Sequence, residues 1–140
     1  MKPMFVAFLA AAALWAAPAS ASSILAKVDI SEQTIRVYVD GWPRYAWPVS
    51  TARAGYRTPT GSYRAQRMEA MWYSRKYDLS PMPHSVFFYG GFAIHGTEYI
   101  RRLGTPASHG CVRLHPANAT LFYNLVKTYG MANTQIVVTQ

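Results

Sequence analysis

The chain contains one cysteine, and it lies in a short stretch that also carries a histidine and a glycine. Cys111 follows Ser108, His109 and Gly110 within ASHGCVRLHP. A cysteine becomes a strong nucleophile as the thiolate, which a nearby cation or base favours. Glycine lets a substrate carbonyl approach the backbone, and successive N–H groups can stabilise an oxyanion. These residue types predict nucleophilic thiol chemistry.

A nucleophilic cysteine needs a base, and two histidines are candidates. His109 lies only two residues from Cys111, so its ring need not face the sulfur. His95 ends the apolar run FAIH, and the loop that follows is long enough to bring two strand ends side by side. The second ring nitrogen of such a base needs an acceptor that fixes its tautomer. The Glu98 carboxylate and the Gly96 carbonyl are candidates, and the carbonyl is the more plausible of the two.

Two other interpretations of these residues stay open on spacing alone. A lone cysteine in a small domain is often a buried apolar side chain. A zinc site formed by His95, His109 and Cys111 lacks the usual four-ligand spacing, so no metal site is predicted.

The N-terminus has the pattern of an export signal. Lys2 precedes an apolar run that ends near Ala17, and residues 19–21 (Ala-Ser-Ala) fit a signal-peptidase site. We therefore predict a signal peptide over residues 1–21 and one domain over 22–140, with the mature chain in the periplasm. An uncleaved membrane anchor is the alternative. No later segment is apolar enough to span a bilayer, so the mature form is predicted not to cross a membrane.

The net charge limits the classes of binding partner, and the cysteine count limits the disulfides. The net charge is +8 and the arginines are scattered. In an exported protein this charge favours wall peptides or lipid headgroups, so no nucleic acid partner is predicted. A merely solvated basic surface is the alternative. A single cysteine excludes an internal disulfide, although export favours disulfides in small domains.

Apolar and β-branched runs separated by turn residues predict a mainly β domain. Strands are predicted over 24–30, 34–39, 44–50, 62–66, 85–89, 92–94 and 135–139. One helix is predicted over 116–129, with Pro116 in its first turn and Gly130 at its end.

The stretch 68–84 shows neither the two-residue alternation of a strand nor the apolar spacing of a helix. It lacks alternation and carries two prolines near its end. Long loops in small domains are commonly lids or binding loops. We therefore predict a lid loop here, carrying Trp72, Tyr73 and Tyr77.

Two motifs make the chain recognisable. AIHGT, followed after a variable loop by SHGCVRL, resembles the active-site signature of the L,D-transpeptidase (YkuD-type) catalytic domain family. The segments VSTARAGYRTPTGSYR and PMPHSVFFYGGFAIHG are also similar to that family, so the resemblance covers the chain from about Ile24 to its end. It implies a single-domain, β-sandwich-like catalytic fold with one C-terminal helix and a long lid loop.

The resemblance also implies roles for the residues around the cysteine. Cys111 is then the nucleophile, His95 the general base and acid, and the Gly96 carbonyl the third member. Backbone N–H groups around His109, Gly110 and Cys111 would form the oxyanion hole. Further residues would contact the substrate, brace the loop or line the cleft, namely Arg113, Ser108, Trp72, Tyr73, Met82 and His84.

The implied reaction is ping-pong acyl transfer without metal or organic cofactor. The thiolate attacks the diaminopimelate carbonyl of a peptidoglycan tetrapeptide stem, and D-Ala leaves. An amine then resolves the thioester and gives a 3–3 cross-link, or an anchored outer-membrane protein or lipoprotein. Carbapenem β-lactams are expected to acylate Cys111. A hydrolase on the same scaffold (carboxypeptidase or endopeptidase) and a non-catalytic wall-binding module are the alternatives, and the intact His95 and Cys111 argue against the second.

Overall fold

The computed structural model describes residues 22–140, and the predicted signal peptide over 1–21 lies outside them. Within this range the chain forms strands, one α-helix and two 3₁₀ turns. The strands are β1 (Ile24–Asp29), β2 (Thr34–Val39), β3 (Trp42–Pro48), β4 (Gly61–Arg64), β5 (Arg67–Tyr73), β6 (Pro81–Tyr89), β7 (Phe92–Gly96), β8 (Val112–Leu114) and β9 (Thr134–Thr139). The helix is α1 (Pro116–Tyr129), and the 3₁₀ turns are Ile100–Arg102 and Met131–Asn133.

The strands form two sheets that pack on one core. The five-stranded sheet has the order β3-β2-β1-β9-β4 and the four-stranded sheet the order β5-β6-β7-β8. Alternate residues of β1, β2 and β9 are buried, as expected where one face packs on a core and the other faces solvent. The core is apolar, and its largest fully buried side chains include Phe88, Phe122, Ile35, Ile94 and Leu114. The mainly β, sandwich-like fold class is confirmed.

The helix α1 has the predicted bounds, and its capping explains them. The His115 side chain accepts a hydrogen bond from the Ala117 N–H, and proline occupies the first helical turn. At the other end, Gly130 has a φ of 95° and donates its N–H to the Val126 carbonyl. The buried face of α1 packs into the core, and the helix contacts β6 and β7.

The prediction of a lid loop over 68–84 is wrong. These residues form a β-hairpin in which β5 pairs with β6, joined by a turn over 74–80. The two prolines misled the prediction. Over 81–85 β6 pairs only with β5, because β7 pairs further along β6, from Val86 onward. The missing proline N–H groups can therefore face the side without a partner strand, as on an edge strand.

Candidate active site

The parallel pairing of β7 with β8 brings the cysteine and the histidine to one face of the four-stranded sheet. His95 pairs with Arg113, and Ile94 pairs with Val112. Ile94 and Val112 are buried in the core, so alternation directs His95 and Arg113 to the opposite face. Cys111, two residues before Arg113, lies on that same face. We name it the site face.

His95 is held as a neutral imidazole with one defined tautomer. It is 5% exposed, and its Nδ1 lies 2.6 Å from the Gly96 carbonyl oxygen. A carbonyl can only accept, so Nδ1 carries the proton and Nε2 keeps its lone pair. Burial lowers the pKa of His95 to about 4, the Gly96 hydrogen bond opposes this, and the Arg113 charge adds to it. At neutral pH the ring is therefore ready to accept a proton.

Gly96 lies where packing is tight, and its carbonyl orients the His95 ring. A Cβ at this position would lie 3.2 Å from Pro83 Cγ and 3.4 Å from both Ala119 Cβ and Pro116 Cα. The close contact with the start of α1 thus holds the carbonyl that orients the His95 ring.

The Cys111 thiol is half-buried and protonated in this arrangement. Its Sγ donates a weak hydrogen bond to the Gly91 carbonyl at 3.8 Å. Burial raises the pKa of Cys111, while the Ala93 backbone N–H and the Arg113 charge lower it. Among residues 22–140 the thiol has no hydrogen bond to His95. Forming the thiolate therefore requires a base, and His95 lies on the same face.

The loop that carries the cysteine, residues 107–111, is fixed by its own hydrogen bonds. The buried Ser108 hydroxyl donates to the Cys111 carbonyl at 2.6 Å and accepts the Gly110 N–H at 3.0 Å. The Thr58 hydroxyl donates to the Gly110 carbonyl at 2.8 Å. Ser108 was predicted to contact substrate, and the structure instead places its hydroxyl inside this cysteine loop.

Gly110 is the position where the loop tolerates no side chain. Its φ is 140°, and a Cβ would overlap the Phe92 ring and lie 2.9 Å from the Arg57 carbonyl. Its N–H is already engaged by Ser108. Among the described residues no partner is found for the N–H of His109 or Cys111, the other two groups predicted for the oxyanion hole.

A buried glutamine that sequence reasoning missed anchors the cysteine loop from the other sheet. Gln33 lies in the β1–β2 turn, and its Nε2 donates to the Thr51 hydroxyl at 2.6 Å. Its Oε1 accepts the Thr51 N–H at 3.0 Å. The Thr51 carbonyl in turn accepts the N–H groups of Ala107 and Ser108, both at 2.9 Å. Hydrogen bonds therefore run from Gln33 through Thr51 and Ser108 to the Cys111 carbonyl.

Replacing Gln33 with leucine is expected to destabilise the protein and to loosen the cysteine loop. The variant leaves the buried polar groups of Thr51 unpaired, which costs about 1–3 kcal/mol. We expect a lower melting temperature and faster hydrogen exchange at Ala107 and Ser108. The matched control is Gln66→Leu, because Gln66 is exposed. Equal exchange rates at the two loop amides in both variants would contradict the anchoring role.

Arg113 connects the site face to the cysteine loop. Its Nη1 donates to the Ala107 carbonyl at 3.3 Å, and its guanidinium lies 5.7 Å from the Tyr99 ring centre. Its charge lowers the pKa of both His95 and Cys111. The predicted substrate-binding arginine therefore lies beside the pair.

His109 is packed between two tyrosines and is not placed as a base. Tyr77, at the tip of the β5–β6 hairpin, stacks on its ring at 3.9 Å, and Tyr56 meets it edge-on at 4.7 Å. Burial lowers the pKa of His109, with smaller contributions from Arg53, Arg113 and Lys76. The hairpin tip thus contacts the cysteine loop. Sequence reasoning missed Tyr56, because no local pattern indicates its contact with His109.

The remaining predicted site residues divide into two groups. Trp72 and Met82 belong with Phe87 and Ala93 to the apolar cluster that contacts Cys111. Tyr73 is exposed, and no contact brings it to the thiol.

His84 lies against α1 instead of at the thiol. Its Nδ1 is 3.2 Å from the Thr120 hydroxyl, and its ring is 5.2 Å from Tyr123. Its φ of 50° is unusual for a strand residue. Phe87 and Met82 are an odd number of residues apart yet share one cluster, so the strand changes faces between them, and His84 is where its backbone departs from the extended form.

Two general features of residues 22–140 complete the description. No group of three or more His, Cys, Asp or Glu side chains is placed to hold a metal ion. Within the same range no helix combines the length and the apolar character needed to cross a membrane.

Comparison with known proteins shows the family of the chain. The L,D-transpeptidase catalytic domain family (YkuD) matches residues 23–138. The chain belongs to this family of transpeptidases. A search of curated proteins gave no match.

Solved structures of the same family share the fold. An L,D-transpeptidase from Mycobacterium smegmatis is 26% identical with a TM-score of 0.74, over 85% of this chain and 59% of that one. A structure of an L,D-transpeptidase in complex with imipenem is 22% identical with a TM-score of 0.76, over 84% and 59%. L,D-transpeptidase 3 from Mycobacterium tuberculosis, with a faropenem-derived adduct, is 22% identical with a TM-score of 0.73, over 85% and 61%. The chain therefore spans about three fifths of the length of these proteins.

Proposed function

We propose that the protein is an exported peptidoglycan L,D-transpeptidase that uses Cys111 as its nucleophile. The observation that carries this is the β7–β8 register, with His95 and Cys111 on one sheet face and the His95 tautomer set by the Gly96 carbonyl. The apolar run and Ala-Ser-Ala site near the N-terminus support export to the periplasm.

In the first half of the reaction the thiol proton moves to His95 Nε2. The sulfur then attacks the diaminopimelate carbonyl of a tetrapeptide stem, and a C–S bond forms. The oxyanion can accept hydrogen bonds from the backbone N–H groups of His109 and Cys111. His95 returns the proton to the departing D-Ala amine, the C–N bond breaks, and a thioester remains.

In the second half an acceptor amine attacks the thioester. His95 Nε2 takes the amine proton, the C–S bond breaks, and the thiolate is reprotonated. A stem amine gives a 3–3 cross-link, and the amine of an outer-membrane protein or lipoprotein gives an anchored protein. Arg113 suits the stem carboxylates, because its guanidinium stays charged and can bind a carboxylate bidentately.

Hydrolysis of the same thioester is the second candidate, because the half-buried site leaves the thiol accessible to water. Incubation with tetrapeptide muropeptides separates the two, with products analysed by mass spectrometry. Cross-linked dimers or exchanged D-amino acids support transfer. Exclusive tripeptide would overturn transfer in favour of a hydrolase.

Carbapenems are proposed as inhibitors that acylate Cys111, because the strained lactam carbonyl is a comparable electrophile. The imipenem complex and the faropenem adduct of the related structures support this proposal.

The β5–β6 hairpin is proposed to shield the thioester from water, in place of the predicted lid loop. Support comes from the Tyr77 stack on His109 and from the contact of Trp72 with the cluster at Cys111. Excluding water favours an amine over hydrolysis.

Removing the hairpin contact is expected to change the products more than the acylation. In Tyr77→Ala we expect the ratio of tripeptide to cross-link to rise about tenfold, with acylation by imipenem changed less than threefold. Tyr73→Ala, in the same hairpin but without a contact to the cysteine loop, is the control. If acylation and transfer fell together with the melting temperature, the hairpin would be structural only.

A further inference from the structure

A second concave surface lies on the side of the molecule opposite the site face. A cavity of about 480 Å³ opens on the outer face of the five-stranded sheet. Its lining includes Leu25, Tyr38, Arg64, Asn133 and Gln135. Both sheets turn their inner faces to the shared core, so this outer groove and the Cys111 thiol face opposite directions.

The groove crosses four strands in one row. Tyr38 pairs with Leu25, Leu25 with Gln135, and Gln135 with Arg64. Three strand spacings of about 4.8 Å give the row a length of about 14 Å. The shape suits an extended chain of two or three linked rings, and the volume lies in the range of ligand sites.

The polar groups of the groove are held in place. Arg64 Nη1 donates to the Ala132 carbonyl at 2.8 Å, which orients a guanidinium that has further N–H groups to offer. Gln135 Nε2 donates to the Ser62 hydroxyl at 2.7 Å, which leaves its amide oxygen as an acceptor. Together with the Tyr38 ring, the row offers a stacking surface, a cation and an amide.

The surrounding side chains are mainly basic, with the Asp40 carboxylate at one end of the groove. Lys27 lies 5.9 Å from the Tyr38 ring centre and pairs directly across the strands with Arg36. Like charges placed opposite each other destabilise a sheet. Glu32 binds Arg36 at 2.8 Å but leaves Lys27 and Arg64 without a carboxylate partner among the described residues. A ligand carboxylate would supply one.

We propose that the outer groove binds a glycan strand whose sugars carry carboxylates, separately from the catalytic site. The Tyr38 ring stacks on a sugar ring, Arg64 and Lys27 bind the carboxylates, and the Gln135 amide oxygen accepts a hydrogen bond from a sugar hydroxyl. The proposal rests on the proposed function only for the source of the glycan, which is the polymer whose peptides would reach Cys111. Holding a strand on one side raises the local concentration of stems at the other.

The test uses a peptide-free glycan of alternating N-acetylglucosamine and N-acetylmuramic acid, whose lactyl groups are free carboxylates. Binding is measured by calorimetry with purified Cys111→Ala protein. It is then measured with two double variants, in which this protein also carries either Arg64→Gln or Tyr38→Ala. We expect each addition to weaken binding at least tenfold, and a neutral chitin oligosaccharide to bind at least tenfold more weakly. The control is Arg101→Gln, which removes an exposed arginine away from the groove.

A second measurement does not depend on the variants. Titrating the glycan into isotope-labelled protein should shift the amide resonances of Leu25, Arg64 and Gln135 and leave those near Cys111 unchanged. Unaltered binding in Arg64→Gln and Tyr38→Ala, absence of any binding, or groove-dependent binding to phosphatidylglycerol vesicles instead of glycan would each overturn the proposal. Turnover of a soluble tetrapeptide by groove variants with intact Cys111 should stay within twofold of normal, so a failed groove and a failed catalytic assignment are distinguishable.

Discussion

Replacing Cys111 with alanine is expected to remove all turnover of tetrapeptide stems, with a rate loss of at least about 10⁴. The variant has no sulfur to form the thioester, so neither a peptide adduct nor a carbapenem adduct should appear in its intact mass. The side chain is small and only half-buried, so the melting temperature should change by a few degrees at most. Product analysis by mass spectrometry checks the first result, and calorimetry the second.

Cys111→Ser is the matched comparison, because it keeps the shape and replaces a thiol by a weaker acid. We expect it to retain the fold and at most a trace of activity. If Cys111→Ala kept more than about one per cent of normal turnover, the nucleophile would have to be another residue.

His95→Gln is expected to lower turnover by about 10²–10⁴, the usual loss for a general base. Glutamine retains polarity but cannot take the thiol proton, and burial holds the Cys111 pKa above its ordinary value. Alkylation of Cys111 by iodoacetamide should slow correspondingly near neutral pH. His109→Gln is the control, because His109 stacks on Tyr77 and is not positioned as the base. An alkylation rate that is unchanged in His95→Gln would count against the pair.

The same histidine gives a pH dependence of stability whose sign can be worked out. The pKa of His95 falls from 6.5 to about 4 on folding, because burial disfavours the imidazolium. Between these values the unfolded chain binds a proton that the folded chain does not, so stability declines as the pH falls from about 6.5 toward 4. The full contribution, on the order of 3 kcal/mol, is present above pH 6.5. Denaturant unfolding at pH 7 and 4.5 should show a smaller acid loss in His95→Gln than in His109→Gln.

Local pattern was sufficient for the parts of the fold with a clean period. The strands β1, β2 and β9 alternate strictly, and α1 has a proline at its start and a glycine at its end. The paired His-Gly and Ser-His-Gly-Cys motifs singled out Cys111 and His95, and the β7–β8 pairing brings these two residues to one sheet face. Their catalytic roles stay predictions. In each case the local residue types were enough for the prediction, because the feature does not depend on contacts with distant parts of the chain.

The features missed by the sequence depend on contacts between distant segments. The β5–β6 hairpin was mistaken for a loop because its prolines are tolerated only where β6 lacks a second neighbour. Gln33 was not singled out from the sequence, since only the packed structure brings Thr51 to its amide. His84 was assigned to the cleft, whereas its positive φ and its contact with Thr120 turn it toward α1.

The most direct test of the account is the intact mass of the protein during turnover of a tetrapeptide stem. We predict a transient covalent adduct with the mass of the stem lacking its terminal D-Ala. Peptide mapping should locate the adduct at Cys111, and addition of an amine acceptor should remove it. Product formation without any adduct, under quenching that preserves thioesters, or an adduct on another residue, would contradict it.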